Sequence, residues 1–418
     1  MTIKKYKSGL TVAIEENKAL RSVTSGIMVG AGSAYETDEN NGISHFIEHM
    51  QFKGTSTRSA RDIVEAFDNA GSVFNAFTGK EYTCYYFKSI DEKLDECFGI
   101  LCDLFLHSTY EQEELDRERK VILEEINMSK DEPDGVCYDV LYKTAYGGSL
   151  GMEILGSKKN VESFQKADIL KYRAAHYLPS NTVVAFVGNI SEAHALELVE
   201  NYLREFACAE HTPPPVVAAQ SFKSGYGEYI RDYEQSEISV AFPSLRLGDG
   251  RSAVLSALDF ILGNGMSSRL FQRLREKMGL VYSVYTSPWM GKCNGLFSVC
   301  ANVNAVNVAE SVAAIKDEID KIVKHGVTDA ETEKARTQLK VATLFGKENP
   351  MNYMLAVMRW RVLLDRTYDV DELISRINAV TTDDINKLAR EIFSSEAAIA
   401  YAGKSVPHRI DKIFNGDI

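Results

Sequence analysis

A chain of 418 residues is too long for one ordinary hydrophobic core, so two domains of roughly 200 residues are expected. Its apolar fraction of 45 % is that of a globular protein that folds in water. Forty-seven basic against 59 acidic side chains give a formal charge of −12, which repels nucleic acid and anionic membrane surfaces and argues against a polyanion-binding role.

In chain order, MTIKKYKSGLTVAIEEN has an apolar run broken by Thr11 and closed by Glu15 and Glu16. It lacks a signal-peptide core and reads as a first strand. Alternating strands are predicted at TVAI, SVTSGIMV and YTCYYF, with amphipathic helices near 59–70, 91–106 and 111–130 and another near 306–324. The longest nearly apolar run, FGILCDLFLH at 98–107, contains Asp103 and is about half of a bilayer span, so no membrane segment is expected. Seven scattered cysteines without a CxxC suit reduced thiols and a cytoplasmic location.

The stretch 207–221 contains three successive prolines, which cannot continue a helix, and it places a boundary near Pro214, with domains over 1–212 and 213–418. The halves echo each other. GSVFNAFT at 71–78 returns as GLVYSVYT at 279–286, an offset of 208 residues, and VVAFVGNI at 183–190 returns as AIAYAGKS at 398–405. His107 and His325 each precede an acidic helix. Adjacent strands with helices to one side, and no GxGxxG or Walker loop, predict an α+β fold: two homologous domains, each a mostly antiparallel sheet packed with helices.

The stretch GISHFIEHMQFKGT, 42–55, carries the chemistry. Ser44 is expected to cap a helix that Gly54 ends, with Ile43, Phe46, Ile47 and Met50 on one buried face and His45, Glu48 and His49 on the other. Imidazoles four residues apart can share one cation, and a carboxylate beside them can take a proton from a water there. A third ligand is needed, and the acidic segment 111–133 is the obvious donor. Spacing alone leaves Glu114, Glu118, Glu124 and Glu125 open.

The blocks GISHFIEHMQFKGT, GSVFNAFTGKEYTCYYF and RERKVILEEI closely resemble the insulinase/pitrilysin family of inverted (HxxEH) zinc metallopeptidases, in its short-chain branch with the mitochondrial processing peptidase and its bacterial relatives. The likeness covers essentially the whole chain. It implies one zinc ion per chain held by His45, His49 and Glu125, with Glu48 as general base and Glu118 supporting the site. It further implies that Asn75, Ala76 and Phe77 form an edge strand on which a peptide substrate lies. LGNGMSSRLFQRLREKMGLVYSV at 262–284 resembles the family's C-terminal signature, which makes Arg275 and Tyr282 substrate-contacting catalytic residues and Gly263 and Gly265 part of a tight turn.

The second half has no HxxEH, and aligning His107 with His325 puts Arg336 and Thr343 opposite Glu118 and Glu125, so only the first half is expected to bind zinc. Gln51 and Met152-Glu153 depart from the family pattern without replacing a ligand or the base. A non-catalytic partner subunit would lack those residues, and a zinc hydrolase of small substrates would not explain the edge-strand motif. The expected activity is endopeptidase cleavage of unfolded or presequence-like peptides. Long family members fuse four such domains, so a homodimer or a second chain is expected to complete the enclosure.

Overall fold

Short runs rich in Val, Ile, Thr and Tyr and bounded by Gly, Asn or Pro favour strands. A computed structural model of the protein describes residues 1–417, and in it such runs build two sheets. The first contains β1 (Thr2–Lys5), β2 (Thr11–Glu16), β3 (Ser22–Val29), β4 (Val73–Thr78), β5 (Thr83–Ile90) and β6 (Thr182–Gly188), in the order β1-β2-β6-β3-β5-β4. The second contains β7 (Gly225–Ile230), β8 (Ser236–Pro243), β9 (Val281–Met290), β10 (Gly295–Val303) and β11 (Ala398–Gly403), in the order β7-β11-β8-β10-β9. Pairing is antiparallel except for β2 with β6 and β7 with β11.

The sequence echoes are echoes of register. Phe77 of β4 stands opposite Cys84 of β5, and Tyr285 of β9 opposite Cys300 of β10. β6 and β11, the second pair of repeated strings, each have one parallel and one antiparallel neighbour. The N-terminal stretch differs from the single strand expected. Gly9, at φ 99°, lets the chain reverse between Tyr6 and Leu10, so that β1 and β2 pair as a hairpin.

The predicted helices form at Ala60–Asn69, Leu94–His107, Gln112–Ser129 and Val308–His325. In chain order the first five helices are α1 (Ile43–Met50), α2 (Ala60–Asn69), α3 (Leu94–His107), α4 (Gln112–Ser129) and α5 (Pro133–Ala145). Ser59 caps α2 in a reciprocal box with Asp62, and Pro133 opens α5 where its missing N–H costs nothing. Among the described residues no helix is long and apolar enough to cross a membrane.

Packing divides the chain into two compact units that do not follow a single cut. The first comprises residues 1–126, 153–217 and 345–368; the second comprises 127–152, 218–344 and 369–418. The main passage between them, at 217–218, falls in the proline-bearing stretch, but a division into 1–212 and 213–418 separates two helices from the sheets they cover. Helix α5 packs on β7, β11 and β8, burying Val136, Cys137, Leu141 and Tyr142. The helix Pro350–Leu364 packs on β6 and β3 through Met354, Val357 and Met358. The approach of α5 is close: a Cβ on Gly227 of β7 would lie 2.5 Å from Thr144 Oγ1, which is why glycine stands there. Sequence periodicity says that a helix has an apolar face but not which sheet it covers.

Candidate metal centre

Helix α1 is positioned by its apolar side. Ile43, Phe46, Ile47 and Met50 are at most 1 % exposed, and each such burial contributes on the order of 1.5–3 kcal/mol. The start of the helix differs from expectation. Gly42, at φ 99°, is the N-cap, and Ser44 lies inside the helix with its hydroxyl 2.8 Å from Tyr172 Oη. The cap comes from a residue a few positions upstream of the helix: the buried Glu36 carboxylate accepts from Gly42 N–H (2.7 Å), Ser44 N–H (2.8 Å) and Asn41 Nδ2 (3.0 Å). Burial pushes the Glu36 carboxyl up, against the pull of these donors. A carboxylate at a helix N-terminus is favourably placed against the peptide dipoles. The helix ends at Met50, before Gly54, whose φ of 117° serves the following turn.

The other side of α1 faces α4. The His45 and His49 rings lie 4.5 Å apart, and their Nε2 atoms are 3.8 and 3.5 Å from the same Glu125 Oε2. One ligand atom from each residue lies within 4.8 Å of the others, the one such His, Cys or carboxylate group among the described residues. A tetrahedral zinc with bonds of about 2.0–2.1 Å spaces its ligand atoms about 3.4 Å apart, close to these separations. At His45 protonation also fits. Burial, with the neighbouring His49, pulls His45 down to about 3, so it is a neutral imidazole, the form that ligates.

His49 Nδ1 is 2.8 Å from Glu118 Oε1, and Lys53 Nζ is 2.6 Å from Glu118 Oε2. Burial opposes protonation of His49, but the Glu118 hydrogen bond and the charges of Glu48, Glu118 and Glu125 outweigh it and raise its pKa. For Glu118, burial raises the pKa, and His49 and Lys53 together bring it below the usual carboxylate range. With Nδ1–H donated to Glu118, the Nε2 lone pair points toward Glu125. A divalent cation would find two imidazole nitrogens and a carboxylate converging there, with a second carboxylate orienting one ring.

Glu48 accepts from Thr78 Oγ1 at 2.6 Å. Its pKa is raised, chiefly by burial, with Thr78 and His49 opposing. Thr78 ends β4, the outermost strand of the first sheet, so β4 reaches the site through this bond. On the same strand Asn75 Oδ1 accepts from Ala76 N–H at 2.8 Å, and the Phe77 ring meets Tyr82 and Tyr86 edge-on at 6.0 and 6.2 Å.

A profile described as insulinase (peptidase family M16) matches residues 11–158, and one described as peptidase M16 inactive domain matches 163–339. A zinc protease of Bacillus subtilis is 36 % identical over 406 residues, covering 96 % of this chain and 98 % of that protein. The chain belongs to the insulinase family, peptidase family M16. A zinc protease of Streptomyces coelicolor is 34 % identical over 403 residues, covering 94 % of this chain and 88 % of its own length. A Helicobacter pylori protease superposes with a TM-score of 0.87 at 20 % identity, covering 96 % of this chain and 99 % of that one. A chain of complex III2 from Candida albicans does so with 0.85 at 18 % identity, covering 99 % of both. These two likenesses concern the fold alone.

Within the M16 chain, the residues singled out from sequence divide between the two units. His45, His49, Glu48, Glu118, Glu125 and the strand Asn75–Phe77 lie in the first unit. Arg275 and Tyr282 lie in the second, where the guanidinium sits 5.9 Å from the Tyr282 ring centre and 4.9 Å from that of Phe271. Tyr282 is 75 % exposed, so its phenol is open to a ligand. Gly263 lets the turn approach β9, since a Cβ there would lie 2.5 Å from Thr286 N, and Gly265 takes φ 113°.

Glu36, Lys53 and Thr78 escaped the sequence reading. Lys53 follows His49 by one helical turn and Thr78 follows the edge strand, so both had a positional signal; Glu36 had none. Gln51 is fully buried, with Oε1 accepting from Tyr110 Oη at 3.0 Å. The Glu153 carbonyl accepts from Asn41 Nδ2 at 2.8 Å. Both departures therefore support α1 rather than enter the ligand set.

Proposed function

We propose that the protein is a zinc-dependent endopeptidase in which His45, His49 and Glu125 hold the metal and Glu48 is the general base. The observation that carries this reading is the meeting of two imidazole Nε2 atoms on one Glu125 oxygen, with Glu48 on the same helix one residue before His49. Zinc, when bound, polarises the peptide carbonyl and lowers the pKa of a water toward about 7.

The chain's own groups do the rest. Glu48 takes the proton of the attacking water and passes it to the leaving amine; its raised pKa suits both directions of transfer, and Thr78 fixes which oxygen is free. Glu118, anchored by Lys53, holds the His49 ring in one tautomer. The substrate adds as a strand along β4 at Asn75, Ala76 and Phe77. Arg275 and Tyr282 supply a cationic donor and a phenol to the substrate carbonyl as negative charge develops on it.

The catalytic half of the chain is 1–212, and 213–418 contributes substrate contacts. Unfolded or presequence-like peptides are the substrates, because only an extended segment can pair with an edge strand. Two copies of the chain form the working enclosure. Seven cysteines scattered along the chain without a CxxC suit a reducing cytoplasm.

Cleavage of a quenched peptide by the zinc-loaded protein tests the mechanism. Glu48→Gln is expected to keep its zinc, measured by mass spectrometry, and to lose cleavage; an unchanged rate overturns the role of Glu48. Light scattering tests the enclosure, which a fully active monomer would refute.

A further inference from the structure

The second unit has a cavity of about 180 Å3 between α5 and the β8-β10-β9 face of its sheet. At about 30 Å3 per water this is roughly six water volumes, room for a small organic ligand. Strand alternation turns Glu237 of β8 and Tyr285 and Trp289 of β9 into it, and α5 contributes Asp134, Tyr138 and Tyr142. The rings form walls at an angle: Tyr138 and Tyr142 have centres 4.4 Å apart, and Trp289 stands at 79° to Tyr142 at 5.7 Å.

Glu237 is 3 % exposed, and no lysine, arginine or histidine lines the cavity. Neither Glu237 nor Asp134 takes part in an ion pair among the described residues. Burial, reinforced by the charge of Asp134 and opposed by the Asn302 amide, raises Glu237 to about 7. Buried carboxylates are ordinarily matched by a cation, because the charge costs several kcal/mol to hold alone. Aromatic faces attract cations as well. A desolvated acid inside an aromatic wall is thus complementary to a positively charged head on a short apolar stem.

We propose that this cavity binds an organic ammonium or guanidinium group, its head toward Glu237 and its alkyl part against Trp289 and the tyrosines. The group comes either from a free amine or from a basic side chain of a peptide; both present the same chemistry. The site belongs to the unit without a metal centre, and it stands whether or not Glu48 is the catalytic base.

The test is calorimetric titration of the full-length protein with n-butylammonium and n-butylguanidinium, with n-butanol as the neutral control. At least one cation is expected to bind saturably and the alcohol not to bind. Glu237→Gln should weaken cation binding about tenfold or more, the loss of one charge-assisted hydrogen bond. Asp134→Asn, at an exposed position of α5, should weaken it several-fold and provides a second reading if Glu237→Gln fails to fold. Competition then identifies the source. A lysine peptide that displaces the probe, where its norleucine counterpart does not, supports a peptide side chain; failure to displace it supports a free amine. Absence of saturable binding by either cation overturns the site, as does unchanged affinity in folded Glu237→Gln and in Asp134→Asn.

Discussion

The two units share the order of five strands, β1 being extra in the first, and even a hydrogen bond. In the first, Glu48 of α1 accepts from Thr78 at the end of β4; in the second, Asp259 of the helix Ser252–Leu262 accepts from Thr286 of β9 at 2.5 Å. Thr78 and Thr286 are the last letters of the repeated strings. Both acids are pushed up, chiefly by burial, and drawn back by their threonines. Tying a buried acid to an edge strand is therefore a property of the scaffold. What separates the units is the ligand set that the sequence supplies: His45, His49 and Glu125 in the first, against Arg336 and Thr343 at the positions opposite Glu118 and Glu125 in the second.

The comparison breaks most completely at the ligands. Glu125→Gln is expected to remove most bound zinc and peptidase activity, whereas its neighbour substitution Glu124→Gln keeps both; metal analysis of the two purified variants decides, and equal zinc contents would refute the assignment. Next, Glu48→Gln should lower the cleavage rate about 10²- to 10⁴-fold with zinc retained, while Asp259→Asn leaves kcat within about twofold. Glu118→Gln should weaken zinc binding about 10- to 100-fold through the released His49 ring, as measured by competition with a chelator.

A pH effect is expected in the second unit. The Glu237 carboxyl, raised from 4.5 to about 7, stabilises the fold below pH 4.5 relative to alkaline solution, and that contribution is lost as pH rises through 7. Its size between pH 5 and 7 is on the order of 2 kcal/mol. Glu237→Gln should therefore raise the unfolding midpoint more at pH 8 than at pH 5; an equal gain at both would contradict the buried, unpaired acid. The smallest effect is expected at the shared threonines. Thr78→Val should lower kcat a few-fold, and Thr286→Val should change only stability, by about 1 kcal/mol.

Much of this was legible in sequence, and for identifiable reasons. Helical spacing separates Ile43, Phe46, Ile47 and Met50 from His45, Glu48 and His49, and the structure puts the first set in the core, the two histidines against Glu125 of α4 and Glu48 against Thr78 of β4. Repeated strings became repeated register because a strand's partners are set by the same alternation that makes it a strand. Spacing did not separate Glu118 from Glu125, which share a face of α4; the structure distinguishes them by the nitrogen each meets, Nδ1 of His49 for Glu118 and Nε2 for Glu125. The sheets chosen by α5 and by Pro350–Leu364 were invisible, since long-range pairing leaves no local pattern, and Glu36 was missed because it lies six residues before the N-cap, outside the usual capping positions.

The crossing of those two helices bears on how the chain is made. Its first unit includes residues 345–368, so a nascent chain that has left the ribosome only as far as the proline stretch holds β3 and β6 without the helix that covers them. That apolar face stays bare until more than four-fifths of the polypeptide has been synthesised, a window in which it is open to aggregation or chaperone capture. Neither half is a self-sufficient folding module. Expressed separately, each would have to find the other to bury its sheet.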